Sequence, residues 1–277
     1  MIFDLVSPWL AAVEATDSTR ARSAFRNRHA PLFEALRRAR TPTSDTLPLA
    51  TDATQLRTLA RRTADPATQQ LLRETVARAA ALGADRCDAV VLVAGSGAGD
   101  ATQPLPRPGC QAIIFADQVD DDNGFVVALA RSVAALTRWG APDSKSPLAQ
   151  GAGGAWNPWD ASRNVALREW IYTEGLGIHL AEALLPELEP HRLFNLNHTA
   201  FNRLREREKV FRALLDDDLD ERGIGLVLRW LTPGAPLGPR TIGGVVLPPT
   251  AGHYLAWRMT AERVARVGLR DAIRAEA

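Results

Sequence analysis

Apolar positions fall into two regimes along this chain. From residue 8 to residue 86, and again from residue 124 onwards, they recur mainly every three or four residues, the period of helices that bury one face. Between residues 89 and 116 they come as two short continuous runs, 90–93 and 112–116, rich enough in β-branched residues to predict buried strands. In the first helical stretch Leu32, Phe33, Leu36 and Ala39 keep the period behind Pro31, a good first-turn residue. A Thr/Ser/Pro-rich loop at 41–48 precedes helices expected at 55–62 and 66–82, the second ended by Gly83.

Two helices in the second half carry the argument. Residues 124–139 are apolar nearly all round, the mark of a buried helix, with Arg131, Ser132 and Arg138 as exceptions. Asp122 or Asn123 is placed to cap it, and the nearby acids suit its positive end. Residues 162–185, stopped by Pro186, set Leu167, Ile171, Ile178, Ala181 and Leu185 on one stripe with Glu174 in its middle. Gly175 and Gly177 stand beside that carboxylate, each at roughly 1 kcal/mol of helix stability relative to alanine. Close packing of another backbone is the favoured reason, approach of a ligand the alternative. A long loop, 140–160, joins the two helices. Beyond them lie a charged helix at 199–219, an apolar stretch at 223–231 that fits strand or helix, and a Gly/Pro-rich segment at 232–249. Helices at 251–267 and 269–276 close the chain.

Composition narrows the class. The 277 residues are 46% apolar and 23% charged, an ordinary globular mixture that bears a sizeable core. With a net charge of +1 and no basic run, nothing draws the chain to nucleic acid. The arginines at 57, 61, 62, 73 and 78 read as a solvated helix face. The first residues lack a basic n-region, and no apolar run approaches the ~18 residues of a membrane span, so a cytoplasmic protein is expected. Cys87 and Cys110 show no metal-ligand spacing, although they could pair. The glycine-rich GSGAG at 95–99 lacks a following helix and a Walker lysine, and Pro104, Pro106 and Pro108 preclude one, so it reads as a turn and not a phosphate loop.

The order of helices, strand VVLVAG, strand QAIIFAD, buried helix, loop, helix with EGLGIHLAEAL and a closing PPTAGHYLAWRM resembles the bacterial family of predicted zinc-dependent proteases with gluzincin-like domains. The resemblance implies an α+β, predominantly helical fold. A gluzincin-like domain at 87–277, with a small sheet packed against two core helices, would follow an N-terminal helical region at 1–86. In that family the buried helix carries HExxH, whose histidines bind zinc while its glutamate activates a water, and an EGLA-like motif supplies a third ligand. Glu174 matches that third ligand, whereas Arg131, Ser132 and Ala135 stand where the HExxH residues belong. No His, Asp, Glu or Cys occurs from Phe125 to Trp139, and no two histidines are four apart. The usual zinc centre cannot be built, and no cofactor is expected.

An ionised carboxylate on an apolar stripe needs a partner, and Arg131 on the neighbouring helix is the natural one. His179 projects about 140° away from Glu174 around their helix, so the two cannot share a metal from one face. His253 and Tyr254 open a helix whose first backbone N–H groups are free. Arg131, Glu174, His179, His253 and Tyr254 are therefore the candidate ligand-binding residues, with no metal ligand among them. The leading expectation is a catalytically degenerate metallopeptidase-like protein that binds a peptide, a partner protein or a small ligand in the inherited cleft. Alternatives are a non-metal hydrolase-like enzyme using Glu174 with His253 or Tyr254 as acid–base groups, and a scaffold without a ligand.

Overall fold

The computed structural model describes residues 1–39, 49–95, 101–106, 109–150, 157–232, 241–242, 244–248 and 250–277. The expected loop at 41–48 and most of the glycine-rich turn fall outside these residues. The chain opens on a short strand, β1 (Ile2–Asp4), followed by helices α1 (Val6–Glu14), α2 (Ser18–Arg28), α3 (Ala30–Ala39), α4 (Ala53–Ala64) and α5 (Pro66–Ala81). Gly83 sits just past α5 at φ 94°, and a Cβ there would lie 2.7 Å from Arg270 Cβ, so the stop signal is also a packing requirement. Strands β2 (Ala89–Val93), β3 (Thr102–Leu105) and β4 (Gln111–Phe115) then join β1 in one sheet of order β1-β2-β4-β3. β2 pairs in parallel with both β1 and β4, while β3 pairs antiparallel with β4.

Neither edge strand was legible beforehand. The three residues of β1 are too few to show a period, and β3 contains Pro104, which an edge strand tolerates because one side of its backbone needs no ladder partner. Since β1 completes the sheet and residues on both sides of position 86 share one apolar core, that position marks a change of element type within a continuous core. The molecule is predominantly helical with a small mixed sheet.

The central helix α6 (Asp122–Gly140) is capped one residue earlier than expected, by Asp121, whose carboxylate accepts from Gly124 N at 2.8 Å. The stretch expected to be a loop contains two short helices, α7 (Pro147–Gln150) and α8 (Pro158–Asn164). The helix expected over 162–185 is broken: its first residues belong to α8, and α9 (Leu167–Leu184) starts after Ala166. There Leu167 N and Arg168 N donate to the carbonyls of Glu221 (2.9 Å) and Leu219 (2.8 Å), so a distant segment satisfies the first amides of α9. The charged helix likewise splits at Arg207 into α10 (His198–Glu206) and α11 (Glu208–Asp216), which bury Phe201 with Leu204 and Phe211 with Leu215. The ambiguous stretch is a helix, α12 (Ile224–Leu231). A small hairpin of β5 (Thr241–Ile242) and β6 (Val245–Val246) precedes α13 (Ala251–Val267) and α14 (Leu269–Arg274).

Stacking in the core runs from the sheet through α6 to α9 and on to α13. The glycines of α9 permit this. A Cβ at Gly175 would lie 2.2 Å from the Ala256 carbonyl oxygen of α13, and one at Gly177 would lie 2.8 Å from Arg131 Cα of α6. Both glycines are therefore seats for neighbouring backbones. Among the described residues no helix is long and apolar enough to cross a membrane. Cys87 and Cys110 do not form a disulfide.

Candidate functional site

Three of the five candidate residues converge. Arg131 of α6 donates through Nε to Glu174 Oε1 of α9, and its Nη2 lies 3.0 Å from His253 Nε2 in the first turn of α13. A guanidinium only donates, so His253 Nε2 accepts and the ring carries its proton on Nδ1. His253 Nε2 and Glu174 Oε1 are 3.7 Å apart, beyond hydrogen-bond reach. The side chains of Arg131, Glu174 and His253 are 12%, 18% and 6% exposed, so this is a half-dry cluster and not a surface pair.

The other two candidates lie elsewhere. His179 Nδ1 is 3.0 Å from Glu182 Oε2 and Nε2 is 3.0 Å from the Trp257 carbonyl, which locks the ring between α9 and α13. That hydrogen bond holds the Glu182 carboxyl below its ordinary range. Tyr254 donates to Glu208 Oε2 at 2.6 Å and packs among Phe194, Phe201 and Trp257. Burial, then the Glu208 carboxylate, pushes its hydroxyl up. As the neighbour of His253 in a helix, Tyr254 points about 100° away, so the two cannot serve one centre.

Arg131 and His253 line a cleft of about 620 Å³. Val127, Ala128, Ile178 and Phe194 supply apolar wall, and Asn123 and Asn195 supply amides. Glu174 stands behind Arg131 and is not among the lining residues. At the rim Arg192 pairs with Asp121, tying the cap of α6 to a 3₁₀ turn at Pro190–Phe194. Sequence periodicity gave no hint of this turn, because its residues form neither a helical stripe nor an alternation. Two further features went unread. Glu189, His191 and His198 bring their ligand atoms within 4.8 Å of one another beside the cleft. Deeper in, Arg138 donates to Glu169 Oε1, making a second arginine–glutamate bridge between α6 and α9. Its signal was present in the spacing: Arg138 follows Arg131 by seven residues, and Glu169 precedes Glu174 by five. Antiparallel helices carry such positions past each other in register.

No protein-family model, curated protein or solved structure matches this chain.

Proposed function

We propose that the protein is a metallopeptidase-like binding protein that has lost the zinc centre of its relatives and uses the remaining cleft to hold a peptide or a small amphipathic ligand. The observation that carries this reading is the position of Arg131, which reaches Glu174 and His253 together and lines the cleft. In the reading, the guanidinium supplies at Glu174 the positive charge that a metal supplies in an active relative. The apolar wall and the amides fit a ligand with both apolar and polar groups. The acid–base alternative is less favoured, since Glu174 Oε1 is committed to Arg131 and Tyr254 to Glu208.

Thermal-shift screening against peptide and metabolite pools tests the proposal. A ligand at a hundredfold excess over its Kd stabilises by about 2.7 kcal/mol. Asn123→Trp, which narrows the cleft without touching the Arg131 cluster, abolishes the shift while leaving the unliganded midpoint nearly unchanged. A shift that survives this substitution, or the absence of any shift across both pools, overturns the binding reading.

A further inference from the structure

The segment between α9 and α10 holds Glu189, His191 and His198, whose ligand atoms all lie within 4.8 Å of one another. His191 Nδ1 is 3.7 Å and His198 Nε2 is 3.6 Å from the same oxygen, Glu189 Oε2. The imidazole rings face each other with centroids 3.9 Å apart. These separations are too long for hydrogen bonds, which close at about 2.7–3.2 Å. They are near the roughly 3.3–3.5 Å edge of a tetrahedron of N and O ligands about 2.0–2.2 Å from a shared ion. Among the described residues neither imidazole makes a hydrogen bond.

The backbone holds the three residues in place. Pro190 fixes the step from Glu189 into the 3₁₀ turn that carries His191. Asn195, at φ 52°, reverses the chain, and Asn197 caps α10 by accepting from Ala200 N at 2.8 Å. His198 is then the first residue of that helix. The positive end of α10 opposes a cation, and the Glu189 carboxylate offsets it. His191 is 9% exposed and lines the cleft, whereas the side chains of Glu189 and His198 are 62% and 70% exposed, so an ion has an open route in.

We infer that Glu189, His191 and His198 form a binding site for a divalent transition ion of the zinc type. Two imidazoles and one carboxylate suit zinc and its borderline neighbours better than magnesium or calcium, which prefer all-oxygen shells. Three protein ligands leave at least one position for water or another donor. The site is separate from Arg131 and Glu174, and it does not depend on the ligand proposed for the cleft.

The test uses untagged full-length protein, stripped with a chelator and titrated with Zn²⁺ and Co²⁺ by calorimetry and visible absorption. Stoichiometric binding is expected, with Co²⁺ bands of a four- or five-coordinate site and a raised thermal midpoint. His198→Ala removes an exposed ligand and leaves the fold intact by circular dichroism; it abolishes the bands and weakens Zn²⁺ by about tenfold or more. Glu189→Gln weakens binding in the same direction. His253→Ala leaves binding unchanged. Absence of stoichiometric binding in the parent chain overturns the inference, and so does binding that survives His198→Ala and Glu189→Gln.

Discussion

Two arginine–glutamate bridges join α6 to α9, chemically alike and differently housed. At Arg138–Glu169 the side chains are 0% and 4% exposed; at Arg131–Glu174 they are 12% and 18% exposed. Arg138 is held further by the end of the chain: its Nη1 donates to the carbonyls of Ile273 (3.0 Å) and Ala275 (2.5 Å). Ser146 Oγ donates to Glu169 Oε1 at 2.5 Å, and Tyr172 lies under the guanidinium, with its ring centroid 4.7 Å from Arg138 Cζ. Yet Arg138 Nε and Glu169 Oε2 find no hydrogen-bond partner among the described residues. Burial pulls the Arg138 guanidinium down from its ordinary range, while Glu169 opposes that shift. The outer bridge shares its arginine with His253 and opens on the cleft. One bridge is a staple for the C-terminal segment and the other a wall. The difference comes from what surrounds each pair.

The largest expected effect follows from the inner bridge. Arg138→Met leaves Glu169 charged and dry, and denaturant unfolding should show a loss of about 3–5 kcal/mol. The double variant Arg138→Met/Glu169→Met should recover part of it, because the uncompensated carboxylate is gone, while the Ile273 and Ala275 carbonyls and Ser146 Oγ still lack their partners. A double variant as weak as the single one would show that the charge was not the cause. Next comes Gly175→Ala, whose Cβ meets the Ala256 carbonyl oxygen at 2.2 Å. Overpacking of about 1–3 kcal/mol is expected, with the His253 resonances perturbed more strongly than signals from the Arg138 region in NMR spectra.

Arg131→Met should destabilise by about 1–2 kcal/mol, between exposed and buried pairs, because the cleft can hydrate Glu174. Added salt should shrink this loss and leave the Arg138 loss nearly unchanged. Equal losses and equal salt responses would erase the distinction between the two bridges. Glu182 gives the smallest effect, since its side chain is 45% exposed. Its carboxyl is depressed by the His179 hydrogen bond, so its contribution is present above the ordinary value of 4.5 and is lost as pH falls through the lowered folded value. Acid titration of stability should therefore be slightly shallower in Glu182→Gln than in the parent chain between those two values, and parallel below them.

Legibility varied with the reach of the interaction involved. The nearly all-apolar α6, the stripe of α9, β2 and β4 were readable because each buries a face or a whole surface, and burial writes a local period. The Arg131–Glu174 contact was readable because a carboxylate on an apolar stripe demands a partner, and few cations lie on the adjacent helix. The break at Ala166 was not readable, because the amides of α9 are met by carbonyls more than fifty residues away in sequence. His179 and Tyr254 lie apart from the Arg131 cluster for a related reason. Their spacing identifies a helix, while the direction in which each points depends on how α13 crosses α9.

By itself, then, the sequence determined which segments bury themselves, where glycines admit a neighbouring backbone, and that no pair of histidines four apart exists on the central helix. Those facts rest on side-chain chemistry and the helical period, both local. Only the tertiary structure decided that one arginine–glutamate pair is sealed and the other faces a cleft. It alone also brought Glu189, His191 and His198 to one point, because a 3₁₀ turn and a left-handed asparagine set their approach. Solvent access and convergence belong to the packed chain, since both depend on residues far apart in sequence.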